Sequence, residues 1–192
     1  MKHICTYESF SVESDLTHTE NFKRWFRDSK IVDRTGAPLV VYHGTGVKFD
    51  TFRTDTVTKN YTARFGDGFY FTELLANASG YMDDSIGHDD ERCVLKVYLS
   101  LQNPLIINEG GRKEYLEIIT GERERQLVGV RGPRTEEIRK KTETQLAIEL
   151  GYDGVIFMWK GAMNEIIAFR PNQIKSVENN GNFDLGSASM LE

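Results

Sequence analysis

Apolar runs of strand length and amphipathic segments follow one another along this chain without regular strand–helix alternation. Segment 20–26, ENFKRWF, places Phe22, Trp25 and Phe26 at helical spacing, and Thr19 stands where an N-cap belongs. Turn chemistry at 32–39 includes Gly36 and Pro38. The apolar run 39–42, LVVY, predicts a strand leading into His43-Gly44-Thr45-Gly46. Residues 47–64 carry no clear period. Two glycines then precede an aromatic strand at 69–72. Segment 73–82 predicts a helix with Leu74, Leu75, Ala78 and Tyr81 along one side.

Residues 83–91 hold five acids and neither Lys nor Arg, which predicts a solvated loop. Strands are expected at 93–101 and 104–107. The charged, Gly-punctuated stretch 111–134 reads as partly helical at best. Segment 135–150 gives the clearest helical pattern, with Thr135 as cap, a Glu137–Lys141 pair and Gly151 as stop. Segments 152–159 and 164–171 predict a hairpin around KGAM, and 173–177 a last strand. Residues 1–19 read as a loose lead-in, 20–178 as one domain and 179–192 as a flexible tail. Six or seven strands with three or four helices predict an α+β fold with mainly antiparallel strands.

A length of 192 residues suits one core. The net charge of −5 argues against a non-specific nucleic-acid binder, which works by neutralising phosphates. No apolar run reaches the roughly 20 residues of a membrane span. The start MKHICTYESF lacks the build of a secretory signal. Two cysteines, Cys5 and Cys93, form no CxxC pair, so a reduced, cytoplasmic setting is expected. The acidic run 83–91 lacks the spacing of a calcium loop, and no metal is expected. Residues 112–141 carry nine Lys and Arg against six acids, a mixed solvated face more than a nucleic-acid patch.

Three segments look unlike scaffold. YHGTG at 42–46 puts a histidine at a strand end, followed by a glycine that lets a ligand approach the backbone. Taken alone, it also reads as a tight turn with a hydrogen-bonded histidine. Tyr70 on a strand and Tyr81 at the far end of the next helix offer two rings able to sandwich a flat cationic heterocycle, or two ordinary core or rim aromatics. Asn164-Glu165 opens an apolar strand, where a carboxylate is either an edge charge in water or a partly desolvated functional acid.

In this order, the three segments resemble the ADP-ribosyltransferase superfamily, in its His-Tyr-Glu branch, which includes the poly(ADP-ribose) polymerases and diphtheria toxin. The phrases at 22–45, 66–73 (GDGFYFTE), 152–157 (YDGVIF), 169–177 (FRPNQIKSV) and 181–184 (GNFD) are similar to bacterial and phage transferase domains of polyvalent proteins. The resemblance covers about residues 20–184. It implies two facing, mainly antiparallel sheets with flanking helices. It also implies cleavage of NAD as substrate, without a metal, and mono-ADP-ribosylation of a macromolecular acceptor by a toxin or effector. A protein acceptor is expected first, with nucleic-acid modification, NAD hydrolysis and a non-enzymatic binding module as alternatives. Expected partners are NAD, the acceptor and an antitoxin or immunity protein. The protein would act in the cytoplasm, its own or that of a cell into which it is delivered.

The resemblance also implies residue roles. His43 would hold the adenosine-side ribose, Gly44 the nicotinamide amide, and Tyr70 and Tyr81 the nicotinamide ring. Thr45 matches the small hydroxyl residue after the glycine, and Asn164 precedes the catalytic glutamate, Glu165. Two departures stand out. Ala78 occupies the position of a serine that binds the amide, with Ser79 one place on. Met163 stands two before Glu165, where arginine-specific members of the other branch carry an acid or amide. This weakens the case for arginine as the acceptor.

Overall fold

The computed structural model describes residues 16–54, 63–84 and 92–192. Its strands are β1 (Val41–Thr45), β2 (Phe69–Phe71), β3 (Cys93–Leu99), β4 (Leu105–Ile107), β5 (Gly154–Trp159), β6 (Ala162–Ala168) and β7 (Ile174–Ser176). The helices are α1 (Glu20–Phe26), α2 (Leu75–Asp84), α3 (Gly111–Leu127), α4 (Pro133–Lys140) and α5 (Glu143–Glu149). One sheet has the order β1-β3-β7 and the other β2-β6-β5-β4. Every pairing is antiparallel except β4 with β5. The expected α+β class with two mainly antiparallel sheets is what the chain adopts.

The β5–β6 hairpin closes on Lys160 and Gly161, both at positive φ (51° and 80°), as a two-residue loop following the sheet twist requires. The sheets face each other across Val41, Leu95, Val97, Phe69, Phe71, Ile156 and Ile166. On its other face, the four-stranded sheet packs Val155, Phe157 and Ile167 against Tyr115 and Ile119 of α3 and Leu146 and Ala147 of α5. Helix α2 lies across β1 and β3, burying Ala78 and Met82 against Val94 and Tyr42.

Several sequence expectations need correction. Stretch 111–134 holds the 17-residue α3 and the start of α4. Its apolar stripe is short, with Tyr115 and Ile119 buried and Ile118 packed beside them, so the surrounding charges hide the period. The single helix expected over 135–150 is two. It breaks at Thr142, whose hydroxyl accepts from the Gln145 N–H while the Gln145 side chain accepts from the Thr142 N–H, a capping box. Thr135 is not the cap, because α4 starts at Pro133 after Gly132. Lys141 pairs with Glu149, across the break, instead of Glu137. On α2 the buried side is Ala78 and Met82, while Leu74, Leu75 and Tyr81 are exposed. The helix runs to Asp84, and 85–91 of the acidic run lie outside the described residues.

The tail expected to be flexible folds back onto the domain. Phe183 and Met190 are buried, the Ser176 N–H donates to the Met190 carbonyl, and Thr51 bridges to Ser189. Lys175, fully buried, donates to the Ser187 and Ser189 carbonyls at 3.2 and 2.8 Å.

Candidate functional site

The site forms where the two sheets meet. Tyr42 of β1 exchanges both main-chain hydrogen bonds with Thr72, at 2.8 and 3.0 Å, which joins the sheets at one rung. Tyr42 therefore turns its N–H and C=O away from β3. Because a strand alternates its hydrogen-bonding direction, Gly44 two residues on turns the same way. Continuing the antiparallel register would place Tyr70 opposite Gly44, but the ladder stops at Tyr42–Thr72. The strands split there, and the Gly44 N–H and C=O face the gap with no partner among the described residues. One donor and one acceptor side by side match a primary amide.

Gly44 has a second reason to be glycine. A Cβ there would run into the Ala78 carbonyl and come within 2.7 Å of the Met82 N–H nitrogen. Both are helix backbone and cannot swing aside. Gly44→Ala is expected to cost about 1–3 kcal/mol by forcing α2 off β1. A thermal melt equal to wild type would show that α2 is not seated on this glycine.

His43 points between the sheets, its ring edge-on to Phe52 at 5.1 Å and tilted against Phe71 at 5.5 Å. Its Nδ1 lies 2.8 Å from the Tyr70 carbonyl oxygen. A carbonyl only accepts, so Nδ1 carries the proton. Burial pushes the imidazole pKa down, against the pull of that carbonyl, and favours the neutral ring. Nε2 is then an acceptor, suited to a hydroxyl such as that of a ribose.

Tyr70 places its ring on the helix-covered face, opposite Ile167 in the β2–β6 register. Its hydroxyl donates to the Gly66 carbonyl at 2.7 Å and accepts from the Phe65 N–H at 3.1 Å. Burial pushes that phenol above its ordinary range. Glu165 shares this face, paired with Phe157 across β5–β6 just before a β-bulge. Its side chain is only 13% exposed, so burial raises its pKa, and Arg64 opposes the rise from 3.2 Å. Burial raises the Tyr70 and Tyr81 phenols first, and the Glu165 charge adds to the rise in both. The Tyr81 ring is itself largely exposed.

These groups therefore do not meet in the space between the two facing sheets. Side chains fill that space. His43 lies on the inner side of β2 and Glu165 on the outer side, and Tyr70 touches both environments, one through its carbonyl and the other through its ring. A hollow of about 420 Å³ lined by Phe49, Leu95, Lys96, Ser176 and Met190 includes none of Gly44, Tyr70, Tyr81 and Glu165.

The remaining expected residues have clear placements. Thr45 is buried, and its hydroxyl donates to the Val47 carbonyl and accepts from the Val47 N–H. It closes the turn after β1. Ser79 lies half-buried on α2, after the buried Ala78. The Asn164 side-chain oxygen accepts from Asn77 Nδ2 at 3.2 Å, which ties α2, and with it Tyr81, to the strand of Glu165. Asn77 and Arg64 are the members that sequence reasoning missed. Arg64 ends a stretch without period, and Asn77 looks like one more polar helix position. For Arg64 the one available signal is its place just before GDGFY.

A shielded carboxylate, two tyrosines and an open glycine edge are the groups available for chemistry on this side of the molecule. Neither the curated proteins nor the solved structures returned a match to this chain. The family model described as ADP-ribosyltransferase in polyvalent proteins matches residues 33–183, which include Gly44, Tyr70, Tyr81 and Glu165, and the chain belongs to that family.

Proposed function

We propose that the protein cleaves NAD and transfers a single ADP-ribose to a protein acceptor, as a bacterial or phage toxin or effector. The observation that carries the reading is the Glu165 carboxylate, shielded from water, paired with Arg64 and on the same sheet face as the Tyr70 ring. Breaking the nicotinamide–ribose bond builds positive charge on the ribose, as in glycoside cleavage. A carboxylate held in a dry site stabilises that charge far better than one in water. The same oxygen accepts a hydrogen bond from a ribose hydroxyl or from the incoming nucleophile. Gly44 would take the nicotinamide amide, Tyr70 and Tyr81 its ring, and neutral His43 the adenosine ribose, with Thr45, Ser79 and Asn164 shaping the walls. Nicotinamide is already a cationic leaving group, so the reading needs no metal.

A protein acceptor is favoured over nucleic acid by the state of the basic stretch. Arg112 pairs with Glu143, Arg125 with Glu122, Arg139 with Glu136 and Lys141 with Glu149, which leaves less free charge for phosphates. Action in the cytoplasm of the producing or a target cell, and an antitoxin or immunity partner, belong to the same proposal.

The test is incubation with NAD labelled in its adenylate half, followed by separation of protein, nucleic acid and small molecules from a lysate. Label in protein is the expected result. Label in RNA or DNA moves the acceptor to nucleic acid, and free ADP-ribose alone makes the enzyme a hydrolase. Tyr81→Ala supplies a check on binding. It removes one ring face from an exposed position, so the fold is expected to be unchanged while NAD affinity falls about fivefold, for about 1 kcal/mol of stacking. Calorimetry showing wild-type affinity would remove Tyr81 from the site.

A further inference from the structure

The segment 64–68 that leads into β2 is fastened through its carbonyls. Arg112 donates to the Arg64 carbonyl at 2.7 Å, the Tyr70 hydroxyl to that of Gly66 at 2.7 Å, and the Thr144 hydroxyl to that of Asp67 at 2.7 Å. Arg112 is itself gripped by both oxygens of Glu143, at 2.6 and 2.7 Å. Gly66 sits at φ +85°, and a Cβ there would meet Thr144 Oγ1 at 2.7 Å and the Tyr115 hydroxyl at 2.9 Å. The Phe65 ring is buried against Tyr115 and Phe157. A segment held this way has one backbone position.

From it, the Arg64 guanidinium lies over the Phe157 ring at 4.8 Å and the Phe65 ring at 5.4 Å. Gly111 leaves it room, since a Cβ there would approach Arg64 Nη2 to 3.3 Å. Its Nη1 then reaches Glu165 Oε1 at 3.2 Å. An arginine held over aromatic rings loses less freedom on pairing than a free one.

We propose that Arg64 is a positioning residue for Glu165: a cation on a rigid mount that keeps the carboxylate an anion and holds it in one orientation beside the split. The inference rests on the reading of Glu165 as the reacting carboxylate. The groups around Glu165 leave this task to Arg64. Tyr70 from β2 and Tyr81 from α2 are neutral phenols whose pKa values Glu165 raises further. Phe157 from β5 has no charge. From α3 and α5 come Arg112 and Glu143, which neutralise each other behind the Arg64 carbonyl. Without Arg64, burial would act on Glu165 unopposed and shift it toward the protonated form, which cannot stabilise a ribosyl cation.

The test uses Arg64→Gln and Arg64→Lys in the full chain, with glutamates carrying ¹³C at the carboxyl. Glu165→Gln identifies the Glu165 signal. The fastening of the segment uses main-chain carbonyls, so both variants are expected to fold. In Arg64→Gln the Glu165 titration midpoint is expected to rise by about one pH unit, at the low end for loss of a neighbouring opposite charge because Arg64 is half-exposed. Arg64→Lys should recover more than half of that rise. The acid limb of kcat/KM for NAD should move up by the same amount as the midpoint, and kcat above the limb should fall in Arg64→Gln and be largely recovered in Arg64→Lys. A midpoint that does not move overturns the proposal, whatever happens to the rate. So does a Lys variant that titrates like the Gln variant. A midpoint that rises in a protein without NAD turnover supports the coupling and removes the transferase reading instead.

Discussion

Glu165→Gln is expected to slow NAD cleavage by about 10²–10³-fold while leaving the fold intact. The amide keeps the shape of the side chain and the bond to Arg64 geometry, but removes the negative charge opposite the forming ribosyl cation. Stability should not suffer, and the sign follows from the direction of the shift. Burial raises the Glu165 pKa on folding above its ordinary value of 4.5, so the folded state holds the proton to higher pH than the unfolded chain does. Stability is therefore lost as pH rises through the window between the unfolded and folded pKa values. A neutral amide escapes that loss, so the variant should melt no lower than wild type at neutral pH. Activity runs the other way, falling as pH drops through the raised pKa. Turnover within a few-fold of wild type in the purified variant would remove Glu165 from the chemistry.

The parts of this fold that were legible in the sequence are those where local chemistry and tertiary packing agree. Helix α1 has its Thr19 cap, accepting from the Phe22 N–H, and its three aromatics buried as their spacing predicts. The hairpin at Lys160-Gly161 was written in its turn residues. Failures came where a tertiary partner decided. On α2, Leu74, Leu75, Ala78 and Tyr81 look like the apolar side, yet of these only Ala78 turns inward, with Met82, because Gly44 lets the helix backbone approach there. In α3 the buried face includes Glu122, which Arg125 pairs in charge and Gln126 hydrogen-bonds, so a charged position stands where an apolar one would mark the period. The capping box at Thr142 and Gln145 was readable, but an uninterrupted helical period on both sides masked it. At the site, sequence order singled out Gly44, Tyr70, Tyr81 and Glu165. It could not show Arg64 or Asn77, because each matters only through a contact about 90 or more positions away, and such contacts leave no local pattern.

The largest stability effect is expected in the tail. Phe183→Ala should cost about 3–5 kcal/mol, a large part of the roughly 5–15 kcal/mol that holds a domain of this size. The ring is 1% exposed and stands edge-on to Phe22 at 5.0 Å and tilted against Trp25 at 5.6 Å. Truncation leaves a cavity between α1 and the tail. The backbone at Phe183 is already set by Asn179, whose side-chain oxygen accepts from the Gly181 and Phe183 N–H groups, so it cannot easily collapse. Leu185→Ala, at an exposed position two residues on, should stay within about 0.5 kcal/mol and controls for the composition of the tail. The loss should also reach the site. Asn179 Nδ2 donates to the Met190 carbonyl, and the Met190 N–H donates to the Asp50 carbonyl, beside the Phe49 and Phe52 rings that pack on His43. A loosened tail thus frees the wall behind His43, and NAD affinity should fall in Phe183→Ala even at temperatures where the protein remains folded. Urea unfolding that places Phe183→Ala within 1 kcal/mol of wild type would show that the tail is an appendage to the domain and carries none of this load.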